Sequence, residues 1–314
     1  MYPPVAAPED PGKAQAKLLV NIVVVIFLII GLFMVLQYFN FLFLQDMPIM
    51  GGWLMDVYEQ VFGVPRILVL HGDDSIGDWR AMRNALSNEI IFISEDLDVN
   101  EIQGGILPIL KKYSLIIVED AKTINKDKLL NIDQYVEGGG NIIWVGDAGT
   151  RGIVKCTEGA KEGEVYQYGW QRDVLCFNAE CETCDCKTAS NKSKGCAFLA
   201  DTAEKTRIKF QNRLGVSFVE NMNDTLSPNI EITDKYHWAV QGLRRNFTLE
   251  TDTYTKVSAG YTTHSVADIV DKGVRYPAVI TNTLPSASGM VVYFAYPPEE
   301  TLEILKPLVE RLRY

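Results

Sequence analysis

The distribution of apolar positions divides the chain into three regimes. From Leu18 to Gln45 the run LLVNIVVVIFLIIGLFMVLQYFNFLFLQ carries no charged side chain. Apolar residues fall on every face of its helical projection, the pattern of a membrane span and not of an amphipathic helix on a folded core. Between Met47 and Val64 aromatics and methionines mix with Asp56 and Glu59, which suits a juxtamembrane linker. After Pro65 the pattern changes to short β-branched runs that alternate with helical periods.

Those runs predict a sheet. RILVLHG, Arg66 to Gly72, reads as a buried strand, and the following DDSIGDWRAMRNALS places Trp79, Met82 and Leu86 on one helical face. EIIFISED predicts a second strand, NEIQGGILPILKKY a weak helix or loop, and SLIIVED a third strand. INKDKLLNIDQYVEGGG predicts a helix with Leu129, Leu130, Ile132, Tyr135 and Val136 inward, closed in left-handed geometry by its three glycines. NIIWVGDAGT completes the series. Strands alternating with helices imply right-handed crossovers and a flavodoxin-like parallel sheet with helices on both faces. Residues 151–207 interrupt it as a cysteine-rich insertion. The sheet resumes in GVSFVEN, YPAVITNT and GMVVYFAY, then a Pro-Pro turn leads to Glu299 and Glu300 in the first turn of an amphipathic closing helix. The expected organisation is a tail (1–17), a transmembrane helix (18–45), a linker (46–64) and an α/β domain (65–314).

Composition and charge narrow the function. With 47% hydrophobic and 22% charged residues the chain is that of a folded protein, and its net charge of -10 excludes a nucleic-acid binder that works by neutralising phosphates. Lys13 and Lys17 precede the apolar run, whereas Asp46, Asp56 and Glu59 follow it. The expected location is therefore the cell membrane, single-pass, with the tail cytoplasmic and residues 65–314 extracytoplasmic. All six cysteines, Cys156, Cys176, Cys181, Cys184, Cys186 and Cys196, lie in the insertion. An even cluster in a polar segment reads as a disulfide-stapled loop of open connectivity, and the alternative is zinc held through Cys181-x-x-Cys184. Asn191, Asn223 and Asn246 each begin a glycosylation sequon.

In open parallel sheets ligands sit at the carboxyl ends of the strands. Here those ends read His71-Gly72-Asp73-Asp74, Glu119-Asp120-Ala121 and Gly146-Asp147-Ala148-Gly149. The run from Arg66 to Thr150, with HWAVQGL and the final strand and helix, resembles the class I glutamine amidotransferase-like domain. In its catalytic members the resemblance implies a cysteine at the elbow that Asp147 occupies, and a glycine-rich oxyanion loop where Glu119-Asp120-Ala121 stands. It also implies a His-x-Glu pair after a late strand, which neither His237 nor His264 supplies. His237 belongs instead to a His-x-x-x-x-Gly-Leu turn of the kind found in membrane-anchored, non-catalytic relatives. A carboxylate cannot replace the thiolate, and an acidic loop repels an oxyanion.

The expectation is thus a non-catalytic binding or scaffolding module without a cofactor. Its partners would be other envelope or membrane proteins, as the resemblance to transporter-associated relatives implies. The alternative is a metal-assisted hydrolase, in which Asp73, Asp74, Glu119, Asp120 and Asp147, helped by His71, hold a hard cation such as calcium or magnesium. The same acids are also the residue types that cap helices and end strands at βα loops.

Overall fold

The computed structural model describes residues 11–38, 65–89, 94–155, 164–167, 174–176, 210–223, 228–251, 253–260, 263–282 and 289–312. The chain divides into two units, Met1–Val64 and Pro65–Tyr314.

The first unit contributes helix α1 (Pro11–Tyr38). Its described side chains are those of residues 20–32 and Val35, and they include exposed Val20, Ile22, Phe27 and Leu28. Among the described residues no helix is long and apolar enough to cross a membrane. This overturns the transmembrane helix expected at 18–45, and with it the membrane location and the orientation built on the flanking charges.

The second unit carries a nine-stranded mixed sheet. Four strands are apolar runs interrupted only by the terminal His71 and Asn141, which only a layer covered on both faces can bury: β1 (Ile67–His71), β3 (Leu115–Val118), β4 (Asn141–Val145) and β14 (Val291–Phe294), each buried along its whole length. A fifth, β2 (Ser94–Asp98), reads SEDLD and is half-exposed throughout, as suits the edge it occupies. These five pair in parallel in the order β2-β1-β3-β4-β14, the flavodoxin-like order with its reversal between β1 and β3.

Helix α2 (Trp79–Asn84) is capped by the Asp78 carboxylate, which accepts from Arg80 N at 2.9 Å, and it ends in a π turn over Ala85–Glu89. The described second strand, β2, covers the later part of the predicted run. A single turn, α3 (Leu107–Leu110), occupies the weakly helical segment. Helix α4 (Lys126–Glu137) follows its predicted face and passes into Gly139 at φ +95°. The chain closes with a 3₁₀ turn (Pro298–Thr301) and helix α5 (Leu302–Leu312).

The sheet is parallel only in this half. Beyond β14 it continues antiparallel through β13 (Val274–Asn282), β12 (Thr263–Asp271), β9 (Asn229–Ile232) and β10 (Asn246–Thr248). β12 and β13 are joined by Lys272-Gly273, both at positive φ, the geometry that a two-residue hairpin of this twist demands. A separate antiparallel pair joins β8 (Val216–Met222) with β11 (Tyr254–Ala259), the strands that carry Asn221 and Thr255.

The insertion contributes a small antiparallel sheet of β5 (Gly152–Lys155), β6 (Glu164–Gln167) and β7 (Val174–Cys176). The side chains of all six cysteines and Asn191 lie outside the described residues. Asn223 and Asn246 are exposed.

Candidate functional site

The five acids singled out from the sequence do lie at the carboxyl end of the parallel strands, but their environments differ. Asp73 and Asp74 are exposed, in the loop that leaves β1. Asp73 accepts from the Thr123 amide at 3.4 Å, and Asp74, at φ +55°, faces Arg151 at 3.7 Å. They tie loops together at the surface.

Asp147 is fully buried just beyond β4. The loop after β1 folds back over it: Ser75 Oγ donates to Oδ1 at 2.7 Å and the Ile76 amide to the same oxygen at 3.2 Å. From β8, Asn221 Nδ2 donates to Oδ2 at 2.7 Å, and Lys122 Nζ, from the loop after β3, lies 3.0 Å from that oxygen. Thr255 Oγ1 of β11 donates to Asn221 Oδ1 at 3.0 Å, which turns the amide's N–H groups toward the carboxylate.

Gly146 makes this closure possible. It sits at φ +54°, and a Cβ there would lie 2.1 Å from Ile76 Cγ1. With four donors on two oxygens, the Asp147 carboxylate has no lone-pair site left for a reacting group. The Lys122 charge offsets the burial of an anion that would otherwise be prohibitive.

Glu119, at the end of β3, is also fully buried, and its carboxyl group and Glu299 Oε2 meet no amide, hydroxyl or cationic donor, only each other. Two carboxyl groups can face each other in this way only by sharing a proton. Burial first, and then the neighbouring Glu299 charge, push Glu119 well above the ordinary carboxylate range. Glu299 is raised mainly by burial and is steadied by the Asp78 amide, which donates to Oε1 at 3.2 Å. Asp120, at φ +49°, is pushed up to about 6 by burial, against an opposing hydrogen bond from the Ser75 backbone; Asp78, Asp73 and Asp74 add to the rise.

The histidines do not join these acids. His71 stacks on Trp79 with ring centres 4.0 Å apart and lies 3.7 Å from Asp96, and burial lowers its pKa. His237 and His264 stack on each other at 5.7 Å, and His264 bonds Asp234 at 2.7 Å. His264 lies on β12, three strand positions from β4 and so roughly 14 Å away across the sheet. Among the described residues no group of three or more His, Cys, Asp or Glu is arranged to hold a metal ion.

Sequence reasoning missed Ser75, Lys122, Asn221 and Thr255, which saturate Asp147, and the role of Glu299. Lys122 carried a usable signal, since it is the cation nearest in sequence to the acidic end of β3.

No family model matches the chain, and no curated protein matches it significantly. Solved structures do. A cold-adapted β-galactosidase from Rahnella sp. R3 aligns with a TM-score of 0.50 and 14% identity, over 84% of this chain and 34% of that one. A Bacteroides uniformis protein described as ThuA-like aligns over 79% of this chain and 92% of its own, with a TM-score of 0.47 and 12% identity. A Thermoplasma acidophilum protein described as a putative GMP synthase aligns over 79% and 94%, with a TM-score of 0.44 and 10% identity. The chain spans about a third of the length of the β-galactosidases it matches. At these identities the likeness concerns the fold alone.

Proposed function

We propose that residues 65–314 form a non-catalytic binding or scaffolding module built on an amidotransferase-like fold. The carrying observation is the state of Asp147. At the position where the resembled enzymes present a nucleophile, this chain has a carboxylate with no solvent exposure, held by Ser75, Ile76, Asn221 and Lys122. A group in that environment stabilises the junction of three loops and cannot reach a substrate carbonyl. Glu119 and Asp120 reinforce the reading, because an acidic strand end destabilises the oxyanion of acyl transfer. The separation of His237 and His264 from β4 leaves Asp147 without a general base. A metal-assisted hydrolase finds no comparable support, since the strand-end acids are spent on loop contacts and on one another.

The test is ammonia release from glutamine and simple primary amides by the full chain. No release above the buffer blank is expected. Saturable turnover that Asp147→Asn abolishes would overturn the proposal.

A further inference from the structure

The loop that leaves β1 is held in two halves. Its first half is tied to the end of β3 through backbone groups: the Gly72 amide donates to the Asp120 carbonyl at 2.8 Å and the Lys122 amide to the Asp73 carbonyl at 2.9 Å. Its second half, residues 75–78, is held by side chains. Ser75 Oγ and the Ile76 amide reach Asp147, and the Asp78 amide donates to Glu299 Oε1 at 3.2 Å. Glu299 stands in the 3₁₀ turn that follows β14, so this last bond joins that turn to the loop.

Glu119 holds Glu299 from the other side. Beyond burial, which raises the pKa of both, their mutual hydrogen bond raises Glu119 and lowers Glu299, so Glu119 is the protonated donor and Glu299 the acceptor. Glu119 has no solvent exposure and is fixed at the end of β3, a strand paired on both sides. It also backs the loop directly, since a Cβ at Gly77 would stand 2.4 Å from its Oε1. Glu299 is placed differently: with Ser75, Gly77 and Asp78 it lines an open groove of about 380 Å³.

We propose that the Glu119–Glu299 pair is a pH-operated latch on residues 75–78: with its shared proton it holds the loop closed over Asp147, and on losing that proton to solvent it sends Glu299 into the groove and releases the loop. Two carboxylates cannot stay in contact where water is excluded, and of the two only Glu299 has a way out. The Asp78 amide then loses its acceptor, and the loop loses its tie to the turn after β14. The latch needs no ligand and holds whatever partner the module takes.

The charged groups facing the pair act in one direction. Asp120 follows Glu119 at the end of β3, Asp78 ends the loop, and Glu300 follows Glu299 in the turn. Glu300 Oε2 accepts the Glu250 and Thr251 amides of the segment before β11, at 2.8 and 2.9 Å, which anchors the turn when Glu299 moves. Each of these acids favours keeping the shared proton while the loop is closed, and favours the departure of Glu299 once the proton is gone. Release of one proton lets the opening equilibrium grow by up to about tenfold per pH unit above the ordinary carboxylate range, until the closed pair itself has ionised.

The experiment is amide hydrogen exchange of the full chain from pH 5 to pH 8, read by mass spectrometry and corrected for the chemical exchange rate at each pH. Peptides covering residues 75–80 should open at least about tenfold more readily at the upper pH, while β4 and β14 keep their protection. Glu119→Gln keeps the shape and the donor to Glu299 and cannot ionise, so its loop should stay closed and lose most of the pH dependence. Asp120, whose carboxyl titrates in the same direction, is unchanged in that variant, which separates the two acids. Glu299→Ala removes the latch, and its loop should exchange at the lower pH as the parent's does at the upper. Loop opening that does not change with pH, a pH dependence that survives intact in Glu119→Gln, or β4 and β14 opening in step with the loop would each overturn the latch. If Glu119→Gln does not fold, Glu299→Ala decides alone: a loop as protected as the parent's at the lower pH would overturn it.

Discussion

Gly77 and Glu119 are in such close register that no other residue fits at 77: a Cβ there would stand 2.4 Å from Glu119 Oε1 and 2.8 Å from its Cδ. The backbone adds its own restriction, with Gly77 at φ +104°. Gly77→Ala should therefore lose about 3 kcal/mol, part from the forced backbone and part from the collision. In a Glu119→Ala background only the backbone part remains. Urea titration of the four proteins of this cycle should give a Gly77→Ala cost at least about 1 kcal/mol smaller when Glu119 is absent. Equal costs in both backgrounds would mean that Glu119 does not limit this position.

Asp147 should behave as a structural anion. Asp147→Ala leaves Lys122, Asn221, Ser75 Oγ and the Ile76 amide around a cavity, and its expected cost is about 4 kcal/mol. Asp147→Asn keeps the volume and loses the ion pair, so about half that cost is expected. Asp147→Cys, which restores the residue type of the resembled enzymes, should release no ammonia from glutamine, because no histidine reaches the site. A stability profile with alanine no worse than asparagine would contradict this assignment.

Parts of this arrangement are legible in the sequence and parts are not, for physical reasons. Unbroken apolar runs such as LIIV and VVYF are buried on both faces, and a run of that kind can be read locally. The antiparallel half is not locally legible: β9 and β10 are short and half-solvated, and β12 depends on pairing with two neighbours before its alternation means anything. Asp147 could be placed at a strand end, but its role depends on Asn221, which arrives from 74 residues further along the chain. Lys128 carries the same lesson inside a helix. It is buried on α4 because Nζ donates to the Val99 carbonyl, a partner that no helical period predicts. At 18–45 the apolar run alone carried the membrane reading, and the described part of α1 does not sustain it.

Asp120 gives the protein an acid-side stability slope. Its carboxyl is raised from 3.8 to about 6, so between those values the folded chain binds more protons than the unfolded chain. Stability falls as pH rises through this window, and the deficit is complete above about 6. Glu119, also raised, adds a slope of the same sign. Asp120→Asn keeps an acceptor for the Ser75 amide and tolerates φ +49°. It should raise stability near neutrality by about 1 kcal/mol, the full effect of the shift being reduced because the group is half exposed. Urea midpoints taken from pH 4 to 7 should vary less in the variant, and an unchanged or steeper dependence would remove Asp120 as its source.

The last relationship connects α4 to the strand that serves the site. Arg213 Nε donates to the fully buried Asp133 at 2.7 Å and its Nη2 to Glu137 at 2.8 Å, which locks helical residues 210–214 against α4. Asn282 Nδ2 adds donors to the Asn212 and Arg213 carbonyls, both at 2.8 Å. Directly after this anchor comes β8, which carries Asn221 to Asp147. Arg213→Ala leaves a buried carboxylate short of its cation and should lose about 3–5 kcal/mol. Arg213→Lys should recover only part of that, because a lysine cannot present two arms to two carboxylates. Replacing both partners, Arg213→Met with Asp133→Leu, removes the charge problem and should come close to the parent in stability. Amide exchange across residues 216–222 should quicken in Arg213→Ala and return toward the parent rate in the double replacement. Fast exchange that persists in the double replacement would show that the ion pair itself, and not the packing of 210–214, positions the strand.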